Sequence, residues 1–155
     1  MEYPREFEPS PLDSVTEYML SQSHAVLIYD PEAEDTAREI MERVATGLAN
    51  RIMISDPTLE SLVIFDSKSK KQHWNKIIPG VQLISIADIE QGNFVISRNQ
   101  SIVALGHIFL SRKVCAPARH GINFFAAISN TAQARLHCEK VQPFSQAIYL
   151  KKELS

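Results

Sequence analysis

The sequence is short of the residues that most often announce a function. Five glycines are spread over 155 residues. They make neither a G-x-G-x-x-G nor a G-x-x-x-x-G-K-[ST] pattern, so nucleotide phosphates lack a glycine-rich cradle. A G-x-S-x-G elbow is missing as well, and with it the serine-hydrolase signature most legible in sequence. Cysteine is down to Cys115 and Cys138. They form no C-x-x-C and are read as small buried hydrophobes of a protein in a reducing compartment. Of the five histidines, His24, His73, His107, His120 and His137, no two stand at i+2 to i+4, the spacing a zinc or di-iron site normally shows. Neither a metal site nor a cofactor is expected. Formal net charge is only −2, unlike the strong basic excess of a dedicated nucleic-acid binder. Every apolar run falls far short of the ~18 residues a membrane span needs. The opening MEYPREFEPSP has no apolar core of signal-peptide length. A soluble cytoplasmic protein without a membrane partner is expected.

What is present is an ordinary globular composition, 45% hydrophobic and 22% charged, in a chain of single-domain length. Residues 1–10 read as a flexible lead-in and 11–155 as one α/β domain. Leu12, Val15, Met19 and Leu20 follow a helical period after Ser10-Pro11. His24 to Asp30 is a continuous apolar run rich in strand formers, hence a buried strand. Asp30-Pro31 opens a helix, with Asp as N-cap and Glu32, Glu34 and Asp35 in its first turn. Ala37, Ile40, Met41, Val44 and Leu48 form its apolar face, and Asn50 closes it. Arg51 to Asp56 reads as a second strand, so that strand, helix and strand make a parallel pair. Leu62 to Phe65 is ambiguous. Residues 67–78 suit a helix stopped by Pro79-Gly80, and 81–86 a strand. Phe94-Val95-Ile96 and Ile102-Val103-Ala104-Leu105, parted by Arg98-Asn99-Gln100, suit a hairpin. Phe124 to Val141 reads as helical. The fold class is therefore α/β, a three-layer domain with a mixed, largely parallel sheet flanked by helices and a β-hairpin near 93–110.

Two clusters suggest chemistry. Asp56, Asp66 and Lys68 loosely match a metal-dependent nuclease, in which two carboxylates hold a divalent cation and a lysine steadies the developing phosphoryl charge. The bland alternative makes Asp66 a helix cap and SKSKK a solvated first turn. Lys68, Lys70 and Lys71 with Arg112, Lys113 and Arg119 are the candidates for an anion or a nucleic acid. The alternative there is solvated loops.

The stretch PGVQLISIADIEQGNFVISRNQSIVALGH, over residues 80–107, resembles the phospholipase D superfamily. That resemblance implies a strand from Gly80, a motif strand over Gln91–Arg98, and a following strand from Ser101 to Gly106-His107. It also places the family's nucleophilic histidine on Gln91, its lysine on Asn93 and its aspartate on Arg98. An amide can neither attack phosphorus nor form a phospho-enzyme, so the family's activity is not carried over. Gln91, Asn93, Arg98 and His107 become ligand-binding candidates. SHAVLIYD with its following helix is similar to sensory domains with a RecA-like core. Both resemblances imply a non-catalytic domain in sensing, regulation or protein interaction. The first also implies a homo-oligomer, with a regulatory protein as a further partner.

Overall fold

The computed structural model describes residues 5–7, 12–68, 70–91, 99–106, 123–131 and 147–150. Along the chain these form β1 (Arg5–Phe7), α1 (Leu12–Leu20), β2 (His24–Tyr29), α2 (Glu34–Ile52), β3 (Leu62–Asp66), α3 (Lys71–Ile77), β4 (Gln82–Ile84), α4 (Ile86–Gln91), β5 (Ser101–Leu105), β6 (Phe124–Ser129) and β7 (Ala147–Leu150). A single 3-10 turn, Pro31–Ala33, joins β2 to α2.

The seven strands lie in the order β1-β7-β2-β6-β5-β3-β4. Every pairing is parallel. Parallel strands buried on both faces read as unbroken apolar runs rather than alternating ones, and β2, β3, β5 and β6 do so. Alternate residues of these strands, such as Leu27, Ile64, Val103 and Phe125, join one core with α1 and α2. The residues between them, Ile28, Phe65, Ala104 and Ala126, are equally buried. With both faces covered, the domain has the three layers expected of it.

The sheet departs from expectation at several places. β5 has β3 on one side and β6 on the other, both parallel. Its two hydrogen-bonding edges are taken, so the hairpin near 93–110 does not form on it. Residues 92–98, including Phe94-Val95-Ile96, lie outside the described residues. The strand expected at 51–56 is instead the end of α2 and a turn, with Met53 N–H donating to Ala49 O at 2.9 Å. No glycine or proline stands between Asn50 and Pro57 to stop the helix at Asn50. Ile54 is 88% exposed and Met53 49%, which a buried strand would forbid. Phe124–Ser129 is strand and not helix. It is a short apolar run whose two alanines suit a helix and whose phenylalanines suit a strand, and central pairing to β2 and β5 decides it. Arg5–Phe7, placed in the flexible lead-in, forms an edge strand on β7.

Among the described residues, no helix is long and apolar enough to cross a membrane.

Candidate functional site at the carboxyl edge

In open parallel sheets ligands bind outside the carboxyl ends of the strands, where the chain leaves two neighbours in opposite directions. β2 leads to β3 on one side and its neighbour β6 leads to β7 on the other. The crevice between β2 and β6 is such a point. Tyr29 and Asp30 stand at the end of β2, and Ser129 and Asn130 at the end of β6. Asn130 N–H donates to Tyr29 O at 2.7 Å and Asp30 N–H to Leu150 O at 3.1 Å. The Asp30 carboxylate makes no capping bond to the turn that follows; it accepts from Asn130 Nδ2 at 3.3 Å. The expected N-cap position is thus occupied, but its side chain is drawn across the crevice.

The entrance to α2 is unsuited to phosphate. Pro31 offers no N–H, and Glu32, Glu34 and Asp35 already set negative charge against the helix dipole. A phosphoryl group there would meet like charge.

Next along the same edge lies a polar cluster under α2. Asp66, fully buried, ends β3. Its Oδ2 accepts from Arg38 Nη2 at 2.5 Å and from Trp74 Nε1 at 2.7 Å, and its Oδ1 from Lys68 N–H at 2.8 Å. A buried carboxylate needs such donors to remain charged. Here three elements supply them: α2, the turn after β3, and α3. Lys68 Nζ lies 3.1 Å from Glu34 Oε1. Burial and the neighbouring Glu34 carboxylate push the Tyr29 phenol above its ordinary range, against the opposing pull of Arg38. At neutral pH it is a protonated donor.

The nuclease arrangement expected of Asp56, Asp66 and Lys68 is not assembled. Asp56 precedes β3 and accepts from Thr58 Oγ1 at 2.8 Å, Ser61 N–H at 2.9 Å and Ser61 Oγ at 2.8 Å. Those hydrogen bonds, the ones from Ser61 first, hold its carboxyl below the usual range. It therefore organises the amino end of the strand whose carboxyl end carries Asp66. From Ser61, which holds Asp56, to Asp66 the chain runs five residue steps, ~16 Å at about 3.3 Å each, whereas ligands of one cation each sit within about 2.6 Å of it. Lys68 is spent on Glu34. Among the described residues, no three of His, Cys, Asp and Glu are grouped to hold a metal ion.

Of the other candidates, Lys68, Lys70 and Lys71 are exposed where β3 passes into α3. Gln91 is the last residue of α4, exposed and helical, where the phospholipase D resemblance expected a strand. Asn93, Arg98, His107, Arg112, Lys113 and Arg119 lie outside the described residues.

Sequence reasoning missed Tyr29, Asp30, Arg38, Trp74 and Asn130 as one edge. The signals were present singly, in an arginine inside an amphipathic helix and in a tryptophan eight residues after an aspartate. Only the strand order brings them together.

Compared with protein-family models, curated proteins and solved structures, the chain has no match.

Proposed function

We propose that the chain is a non-catalytic α/β domain of sensing or regulation, which binds its ligand in the β2–β6 crevice and acts through another protein. One observation supports this most: the buried carboxylate of the carboxyl edge, Asp66, already accepts from three donors. A carboxylate so engaged has little left for a metal or for proton transfer. The replaced positions of the phospholipase D-like motif, Gln91, Asn93 and Arg98, favour binding over turnover in the same way.

The strand order supports the second resemblance more than the first. Counted from β2, with edge strand β4 set aside, the order β7-β2-β6-β5-β3 runs fifth, first, fourth, third, second, as in a RecA-like core. That is an analogy of fold, and folds carry many functions. The acidic turn at Pro31–Ala33 then stands where such a core would cradle phosphates. The proposed ligand is accordingly a neutral or cationic small molecule rather than a nucleotide. A homodimer in a reducing cytoplasm completes the proposal, and sedimentation equilibrium tests the dimer.

The enzymatic alternative is tested by assaying DNA and simple phosphodiesters with magnesium and manganese. We expect no cleavage above a buffer control. Metal-dependent cleavage that disappears in Asp66→Asn would overturn the proposal.

A further inference from the structure

Glu34, Arg38 and Glu42 stand one turn apart on α2 and so share a stripe. Each holds a group from β3 or the segment after it. Glu34 Oε1 is 3.1 Å from Lys68 Nζ, Arg38 Nη2 is 2.5 Å from Asp66 Oδ2, and Glu42 Oε2 is 2.9 Å from His73 Nε2. The first two rungs fasten the end of β3 and the turn after it. The third fastens α3 itself.

Besides this rung, α3 is held through one fully buried side chain, Trp74, with Ile77 and Ile78 beside it against the core. Its seven residues are too few for a helix to persist without tertiary support. Trp74 and the following Ile78 are buried, while Lys71, Gln72, His73, Asn75 and Lys76 are exposed. A cleft of about 360 Å³ opens between α3 and β4, lined by Lys71, Trp74, Asn75, Val81 and Leu83 among others. At its far end the chain turns through Gly80, with φ +83° and open space around its Cα. A short helix that is exposed along most of its length and anchored mainly by one side chain is the kind of segment that opens locally.

Of the three donors on Asp66, two belong to the body and one, the Trp74 indole, to α3. We propose that α3 is a flap that opens as a unit while α2 and the sheet remain folded. In the open form Asp66, still held by Arg38 and the Lys68 N–H, presents a vacated acceptor site on Oδ2 at the carboxyl edge. The group suited to it is a hydrogen-bond donor, an amine or a hydroxyl, in place of the indole.

Trp74 is the chain's only tryptophan, so its fluorescence reads the flap alone. Native-state hydrogen exchange should show the amides of Trp74 to Ile78 opening with little dependence on denaturant, and those of Val63 to Phe65 only with global unfolding. Glu42→Gln, which removes the charge from the acceptor of the His73 contact, should speed exchange in α3 about two- to five-fold, the scale of an exposed side-chain contact, and raise acrylamide quenching of Trp74, with β3 unchanged. Trp74→Phe, which removes the donor to a charged acceptor, should speed it about tenfold or more. If α3 and β3 amides share one denaturant dependence, or if Glu42→Gln accelerates both equally, the flap does not exist.

Discussion

At the scale of single residues, the carboxyl edge is built from groups that tolerate little change. Arg38 and Asp66 are a buried pair, 12% and 0% exposed at their side chains. Removing one partner strands the other charge in the core. Arg38→Ala should therefore cost about 3–5 kcal/mol in chemical denaturation, far more than the loss of any exposed ion pair such as Lys68–Glu34. Gly106 is a second such point. Its φ is +88°, and a Cβ built there would lie 2.1 Å from Ser67 Oγ. Gly106→Ala should lose about 1–3 kcal/mol to backbone strain and crowding together. Adding Ser67→Gly should recover the crowding and leave the strain, so the double variant should melt between the single variant and the parent. Asp56 gives a pH prediction of definite sign. Because Ser61 and Thr58 hold its carboxyl low in the folded state, its contribution to stability is present above the ordinary carboxylate range. That contribution is lost as pH falls through the lower folded value. Ser61→Ala should shift the acid limb of the stability curve to higher pH, followed by denaturation midpoints between about pH 2 and 5.

At the scale of elements, the sequence was most legible where one signal acted alone. β2 announced itself as an apolar run, α2 by its amphipathic period and its acidic first turn, and α3 by Trp74, Ile77 and Ile78 ahead of Pro79-Gly80. Misreadings came where local signals compete. Asn50 is a weak stop, and α2 ran past it to Ile52. Phe124–Ser129 has residues that suit either structure, and its neighbours in the sheet decided the outcome. The helix α4 was overlooked although Ser85-Ile86-Ala87-Asp88 has the spacing of a capping box. Ser85 Oγ accepts from Asp88 N–H at 3.2 Å, and Asp88 Oδ2 accepts from Ser85 N–H and Oγ at 3.0 Å each. The reciprocal bonds from Ser85 hold the Asp88 carboxyl below its usual range. Ser85→Ala should destabilise α4 by about 1 kcal/mol, seen as faster amide exchange confined to Ile86–Gln91.

At the scale of the whole molecule, sequence patterns give a three-layer α/β domain but not its strand order. Order depends on which strand pairs with which, and β2 pairs with β6, about 100 residues downstream. No local spacing encodes that. The candidate site suffered the same loss, because Tyr29, Asp66 and Asn130 share an edge only through the order β2-β6-β5-β3. Once the order is known, the separation of Asp56 from Asp66 follows from the length of one strand, and with it the reason to prefer binding to metal-dependent cleavage. On the proposed reading, the acidic entrance to α2 further narrows the ligand to neutral and cationic molecules.

The most direct test is amide chemical-shift mapping on isotopically labelled protein, titrated in parallel with a panel of amines and polyols and with nucleoside phosphates. Saturable shifts centred on Asp30, Ser129 and Asn130 with an amine or a polyol, and none there with the phosphates, are the predicted result. Saturable binding of a nucleoside phosphate at those same amides would contradict it.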